Sequence, residues 1–352
     1  MNGSTSLINE CCWIEAVPDS EQWLKSSLSQ VRHYWVDHLK AIAIILVVLG
    51  HFQGLNSELK QWIYSFHIPV FLFVTGFLTG HRLKAPALKP IFERYLLPYC
   101  KLYLLLSLVS ISFWYLNLPV QTSLLSLIEP LSGMLYGVQG QQRLLIHLNG
   151  PLWYFPFLIS STFFAYLAYK LKHWGFVICV IYTLFAEFLL PDDPPWRVDM
   201  MGIGAFFILL GVYFNQHQAQ LMPPHNKVAA CFISILTGLL SYWLASQNGL
   251  TNLSRGIWGQ SLPVFLITAS LGIYSLISIT SKCPSLQITQ LLSQNSLIIF
   301  ASHIYFVKTI NTTIEMSGFI GFPSQVIYSL LITLICLCFA MVTQPFVKRI
   351  TT

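Results

Sequence analysis

The sequence predicts an all-α, polytopic membrane protein, a bundle of about ten transmembrane helices. Its 352 residues are 55% hydrophobic and only 9% charged, and the mean hydropathy is +0.64. So few charges cannot solvate a water-soluble domain of this size. Long, nearly uncharged runs rich in Leu, Ile, Phe, Ala and Gly favour helices over the alternating pattern of a transmembrane barrel.

Two regions follow from the distribution of apolar residues. Residues 1–30 carry four carboxylates and lack an apolar core, so we expect a cytoplasmic N-terminal tail rather than a signal peptide. Residues 31–352 are expected to form the transmembrane domain. The expected spans are 35–55, 62–80, 95–116, 151–170, 174–190, 200–216, 228–246, 259–280, 290–308 and 324–346.

The lysines and arginines predict the orientation. With a cytoplasmic N-terminus and ten spans, fourteen of the nineteen fall on the inner side. This positive-inside bias predicts that both termini lie on the cytoplasmic side of the membrane. The membrane is expected to be a cell membrane, the bacterial inner membrane, and its lipids to contact the protein. The five on the outer side are Lys60, Arg143, Arg197, Arg255 and Lys308.

Other features exclude some classes of function. The cations are scattered at loop ends and form no basic patch, so no nucleic-acid partner is expected. The eight cysteines show no metal-ligand spacing, and we expect no metal. Outside the spans, the outward loop 117–150 is apolar enough to hold a re-entrant or interfacial helix around Leu124–Tyr136.

The first span carries an unusual polar stripe. Lys40 and His51 are eleven residues apart, so on a helix they point within about 20° of each other and lie roughly 16 Å apart along the axis. Asp37 lies about 40° further round. His67, in the second span, is expected near His51 across the connecting loop. Charges and imidazoles in hydrocarbon cost several kcal/mol, so the stripe predicts a protein-filled or wet interior.

This pattern suggests a catalytic group. Imidazole titrates near neutrality, so His51 could remove a proton from an alcohol that attacks an acyl carbonyl, assisted by Lys40, Asp37 and His67. A solvated helix end or a satisfied core histidine is the alternative. On the inner side, Arg82, Lys89 and Arg94 either reflect ordinary membrane topology or bind the phosphates of a cytosolic donor.

Three further residues are candidates for substrate binding. His303 lies within the ninth span beside Ser302 and Tyr305, although a hydrogen-bonded core histidine is an equal alternative. Trp153 could instead belong to an interfacial aromatic belt. Arg197 and Asp199 could bind the hydroxyls of a sugar from outside or simply pair with each other.

Several segments together resemble one family. They are Arg32–His51, Tyr64–Leu78, Arg94–Tyr99, GPLWYFPFL from Gly150 and SLIIFASHIYF from Ser296, in this order. The pattern is similar to the membrane-bound acyltransferase 3 family, in its fucose 4-O-acetylase-like branch. The resemblance implies that residues 31–352 are an acyltransferase domain that moves an acetyl group from cytosolic acetyl-CoA to a hydroxyl of a sugar or cell-envelope polysaccharide.

The resemblance also implies roles for single residues. His51 matches the essential histidine of the family, His303 a histidine usual in this branch, and Arg94 the second arginine of an inner-loop R-x-x-R motif. Lys40 stands where many members have arginine, and the first arginine of the inner-loop motif is replaced by Ile91. A glycan transporter or flippase, and an inactive sensor module with the same shape, are the competing interpretations.

Overall fold

The structure, a computed structural model, describes residues 33–84, 87–116, 127–137, 149–317 and 322–351. Across these ranges the chain is helical, and its one β-type feature is an isolated antiparallel bridge between Asn252 and Ile257. The predicted tail, 1–30, lies outside them. The main helices are α1 Tyr34–Gly50, α2 Ser57–Leu83, α3 Leu97–Leu116, α4 Ile128–Tyr136, α5 Tyr154–Tyr169, α6 Trp174–Leu189, α7 Met201–Gln216, α8 Lys227–Asn248, α9 Leu262–Thr280, α10 Gln287–Ser317 and α11 Phe322–Thr351.

The prediction of an all-α membrane protein is confirmed, but the number of spans is not. Each of the ten expected spans overlaps one of these helices. Within the described ranges, seven helical segments are long and apolar enough to cross a membrane. They are Ser57–Leu83, Leu97–Leu116, Gly150–Tyr169, Pro195–Gln216, Lys227–Asn248, Leu262–Thr280 and Phe322–Arg349. Helices α1 and α6, with 17 and 16 residues, are shorter than these.

Helices α1 and α2 form an antiparallel hairpin. Asn56 begins α2 by accepting hydrogen bonds from the backbone N–H groups of Glu58 and Leu59, at 2.9 and 3.0 Å, which satisfies donors that a helix start leaves unpaired. At the opposite end of the hairpin the rings of Trp35 and Phe77 lie 4.8 Å apart. We call the two ends of the bundle the His51 end and the Arg82 end.

Helix α10 runs parallel to α1 along the face that carries the polar stripe. The Lys40 ammonium donates a hydrogen bond to the backbone oxygen of Ser293 at 2.7 Å. Eleven residues further along α1, the ring of His51 lies 5.0 Å from the ring of His303. Both side chains therefore meet the same neighbouring helix, as the helical period predicts.

Helix α7 packs very closely against α2 in the centre of the bundle. A Cβ placed on Gly76 would overlap the backbone oxygen of Ile208, and one on Gly211 would overlap the backbone oxygen of Phe73. Small residues at such crossings let helix backbones approach, which is a principal means of packing helices in a membrane. The α1–α2 hairpin is thus held against α7 by glycine contacts that other residues cannot replace.

We expect the substitution Gly76→Ala to destabilise the protein, because the added methyl group meets backbone and not a movable side chain. Overpacking of this kind costs about 1–3 kcal/mol or more. Gly238→Ala is the control, since its Cβ would approach a side chain, that of Ser275, and no backbone atom. Thermal unfolding of the purified proteins in one detergent measures the difference, and equal midpoints for the two variants would contradict the packing described here.

Candidate active site

A cavity of about 500 Å³ opens at the His51 end of the bundle. His51, Tyr64, His67 and Trp153 line it, together with the loop 250–255 between α8 and α9. The Tyr64 ring lies next to both histidines, with its centroid 6.1 Å from that of His51 and 5.0 Å from that of His67. The sequence thus correctly predicted that His51 and His67 come together across the α1–α2 loop.

The hydrogen bonds of the histidines determine their tautomers. Nδ1 of His51 lies 2.9 Å from the backbone oxygen of Val47, and Nδ1 of His67 lies 2.6 Å from that of Ile63. A carbonyl oxygen only accepts, so each Nδ1 carries the hydrogen and donates it. In the neutral rings Nε2 is therefore unprotonated, and its lone pair can accept a proton.

The end of helix α1 makes this bond of His51 possible. The backbone N–H of His51 bonds to the oxygen of Val48 at 3.2 Å, three residues back, and so tightens the last turn. The oxygen of Val47 is then available to the imidazole of the same residue. Asn311 on α10 donates a further bond to the backbone oxygen of His51 at 3.2 Å, which holds the helix end in place.

His303 lies behind His51 and does not line the cavity. It is completely buried, and its ring meets that of His51 edge to face. Its Nδ1 donates to the backbone oxygen of Phe300 at 2.8 Å, while its Nε2 has no hydrogen-bond partner among the described residues. A buried acceptor without a donor is costly.

Arg197 is not placed to touch a molecule in the cavity. Only 1% of its surface is exposed, and its guanidinium pairs with the carboxylates of Asp193 and Asp199, each at 2.5 Å. The pairing with Asp199 is the second of the two alternatives considered from the sequence. The guanidinium also donates to the backbone oxygen of Ser254 at 3.3 Å. Because Ser254 lines the cavity, Arg197 supports the cavity wall from behind.

Lys40 and Asp37 lie near the Arg82 end of α1, away from the cavity. The hydrogen bond from Lys40 to Ser293 joins α1 to α10. Asp37 is buried, with 8% of its surface exposed. The polar stripe of Asp37, Lys40 and His51 therefore runs between the two ends of the bundle, and of its members only His51 lines the cavity.

The candidate donor-binding residues lie at the Arg82 end. The Arg82 guanidinium sits over the ring of Tyr95, 5.2 Å from its centroid. Lys89 is exposed and forms a loose ion pair with Glu93 at 3.8 Å. The side chain of Arg94 lies outside the described residues, although its backbone belongs to a π-helical turn, Phe92–Leu96. Such turns are frequent at functional sites.

Part of the cavity wall was not predicted from the sequence. Lys60, Tyr64 and His67 follow one another at helical spacing, which puts all three on one face of α2, and this signal was present in the sequence. Arg255 and Lys308 also line the cavity. They come from a loop and from α10, and no spacing within one helix relates them to His51.

The family model described as an acyltransferase domain, acyltransferase 3, matches residues 33–342. The chain belongs to the acyltransferase 3 family. Neither the search of curated proteins nor the search of solved structures finds a match. The protein is therefore an acyltransferase and, with its apolar helices, an integral membrane protein.

The family match covers every helix that builds the cavity. It begins at His33, before α1, and ends within α11, so both the His51 end and the Arg82 end belong to the acyltransferase domain. Among the described residues, no three His, Cys, Asp or Glu side chains are grouped so that they could hold a metal ion. Among the described residues that line the cavity, His51 and His67 supply the imidazole nitrogens that could accept a proton.

We expect Arg197→Gln to destabilise this acyltransferase strongly. Removal of the guanidinium leaves two carboxylates without their partner and the 250–255 loop without its support. Breaking a buried ion pair on one side costs about 3–5 kcal/mol. The matched control is Arg255→Gln, because Arg255 is exposed and its replacement leaves no buried charge. A thermal unfolding midpoint for Arg197→Gln as high as that of the control would exclude a structural role for the pair.

Proposed function

We propose that this acyltransferase is an O-acetyltransferase of the fucose 4-O-acetylase-like branch. It takes an acetyl group from cytosolic acetyl-CoA at the Arg82 end and delivers it to a hydroxyl of a sugar or cell-envelope polysaccharide at the His51 end. The observation that carries the proposal is His51 at the wall of an open cavity, with Nδ1 bonded to the backbone oxygen of Val47, so that Nε2 is the nitrogen that can accept a proton. Family membership favours group transfer over the transporter interpretation.

The proposed reaction uses His51 as a general base. Nε2 takes the proton of the acceptor hydroxyl as its oxygen attacks the thioester carbonyl of acetyl-CoA. The new bond joins that oxygen to the acyl carbon, the carbon–sulfur bond breaks, and the proton passes from His51 to the departing thiolate of CoA. A base of this kind contributes typically about 10²–10⁴-fold to the rate.

The bond between His51 and Val47 prepares the ring for this role. It fixes the orientation of the imidazole, and its oxygen stabilises the hydrogen on Nδ1 when the ring becomes positively charged during transfer. His67 and His303 have the same arrangement of Nδ1 towards a carbonyl. Trp153 offers an apolar face to a sugar ring, as aromatic side chains do in many ligand pockets.

Donor binding is assigned to the Arg82 end. Guanidinium groups bind phosphate through charge-assisted hydrogen bonds, and Arg82, Lys89 and Arg94 are the candidates for the phosphates of CoA. Between this end and His303 lie phenol and phenyl rings. Tyr99 stands 5.3 Å from Tyr95, and Tyr154 stands 5.1 Å from Phe300. We place the pantetheine arm along these rings. In this proposal the protein lies in a bacterial inner membrane, with both termini of the chain on the cytoplasmic side.

A second route uses the same nitrogen differently. Nε2 of His51 attacks the thioester itself, carries the acetyl group as acetyl-imidazole while CoA leaves, and then transfers it to the hydroxyl. This route gives ping-pong kinetics, whereas general-base catalysis requires one complex that contains both substrates. A parallel pattern of double-reciprocal plots would assign the carrier route.

We expect His51→Ala to lower the rate of acetyl transfer by about 10²-fold or more, because it removes the nitrogen that we propose takes the proton of the acceptor hydroxyl. The matched control is His225→Ala, since His225 is exposed and remote from the cavity. Incorporation of radiolabel from acetyl-CoA into membrane glycans measures the activity, and gel filtration verifies folding. Normal transfer by a folded His51→Ala protein would remove the assignment.

We expect Arg82→Gln to raise the KM for acetyl-CoA by about ten- to a hundredfold, because a hydrogen bond to a charged group typically contributes about 1.5–3 kcal/mol. The kcat should change little, since the phosphates do not take part in the reaction. Lys227→Gln, which removes an exposed cation elsewhere, is the control. An unchanged KM would show that the donor phosphates bind at another place.

A further inference from the structure

Three cations stand around the cavity that contains His51. They are Lys60 in the first turn of α2, Arg255 in the 250–255 loop, and Lys308 on α10. Among the described residues that line the cavity, none is an aspartate or a glutamate. The wall therefore combines imidazoles, aromatic rings and positive charge without any negative charge.

The helix dipole does not explain Lys60, and ion pairs with described residues explain none of the three cations. Lys60 stands at the start of a helix, where the helix dipole favours a negative side chain and disfavours a positive one. Glu58, in the same turn, accepts a hydrogen bond from the Tyr242 hydroxyl at 2.6 Å. No ion pair joins Lys60, Arg255 or Lys308 to a residue that the structure describes. Like charges around one cavity repel one another, so a negative group in the cavity would stabilise the arrangement.

Membrane topology does not explain them either. In the proposed orientation this is the outer end of the bundle, where the positive-inside rule predicts few cations. In the predicted topology five lysines and arginines fall on that side of the membrane, and three of them line this one cavity. A fourth, Arg197, supports the loop that carries Arg255. The cations on this side are thus concentrated around the histidines.

We infer that the acceptor is an anionic saccharide, which carries a carboxylate or phosphate group near the hydroxyl that receives the acetyl group. The anion is held by Lys60, Arg255 and Lys308, while the hydroxyl faces Nε2 of His51. This inference rests on the proposed function and names its substrate class. It does not depend on whether His51 acts as base or as acyl carrier.

The position of Tyr64 connects the anion site to the histidines. The Lys60 ammonium lies 5.8 Å from the centroid of the Tyr64 ring, and the same ring stands beside His51 and His67. A group bound at Lys60 is therefore separated from the imidazoles by a single aromatic side chain. Binding of the charge both attracts the acceptor and orients its hydroxyl, which lowers the entropic cost of transfer.

A binding experiment tests the inference without requiring catalysis. The purified full-length protein in neutral-lipid nanodiscs is titrated calorimetrically with two acidic probes, trigalacturonate and glucose 1-phosphate. Their neutral counterparts are the carboxyl-reduced trisaccharide and glucose. We expect each acidic probe to bind about tenfold tighter than its counterpart at low salt, and the preference to shrink as ionic strength rises. Equal affinities within both pairs would overturn the inference.

Variants locate the effect. Each of Lys60→Gln, Arg255→Gln and Lys308→Gln should weaken acidic binding by about two- to fivefold, the effect of losing one solvent-accessible charge contact, with no change for the neutral probe. Lys227→Gln should bind as the unaltered protein does. A triple variant that retains the full preference for the acidic probe would show that the cations do not form the anion site.

Two further arms separate the inference from the proposed function and from lipid binding. If the protein binds the acidic probes in a cation-dependent way but transfers no acetyl group to any glycan, the inference stands and the proposed function fails. If it acetylates neutral saccharides as well as acidic ones, the proposed function stands and the inference fails. Displacement of the acidic probes by phosphatidylglycerol in the nanodiscs, lost in the triple variant, would assign the cations to lipid headgroups and overturn the inference.

Discussion

The hydrogen bond from Nδ1 of His51 to the backbone oxygen of Val47 is the contact on which the proposed chemistry depends. It exists because α1 ends in a tightened turn, in which the backbone N–H of His51 bonds three residues back. The bond fixes the proton on Nδ1 and leaves Nε2 as the proton-accepting nitrogen of a residue that lines the cavity. A helix end, usually a place of unsatisfied carbonyl groups, here orients the imidazole to which we assign the proton transfer.

The membrane constrains how such a ring can be held. Polar groups inside a bundle must find partners in the protein, because lipid supplies none. The neighbouring helices do this for α1: Asn311 bonds the backbone of His51, His303 packs edge-on against its ring, and Lys40 ties the other end of α1 to Ser293. Glycines on α2 and α7 bring the hairpin close to the centre of the bundle. The packing of the helices therefore also determines the position of the imidazole.

The sequence predicted those parts of the site that depend on the period of a single helix or on a short connection. The face shared by Lys40 and His51 and the closeness of His67 follow from helix geometry and a six-residue loop. The expected helix around Leu124–Tyr136 is also present, as Ile128–Tyr136. The meeting of Lys60, Arg255 and Lys308 could not be predicted, because it depends on the packing of elements about 50 to 250 residues apart in the chain.

Arg197 is a second residue whose role the sequence alone did not determine. From the sequence, binding a sugar and pairing with Asp199 were open alternatives, and burial decides between them. The guanidinium is enclosed by two carboxylates and by Ser254, so its charge is already compensated. The cations at this end divide accordingly into one that is paired and structural and three that line the cavity. Charge alone does not distinguish these roles, but burial and partners do.

The central claim is that an acetyl group enters at the Arg82 end and leaves at the His51 end. The most direct measurement compares inverted and right-side-out membrane vesicles from cells that produce the protein, each supplied externally with radiolabelled acetyl-CoA. The account predicts His51-dependent labelling of glycans in inverted vesicles, and in right-side-out vesicles only when the donor is loaded inside. Equal labelling of right-side-out vesicles by external acetyl-CoA would contradict transfer across the bundle.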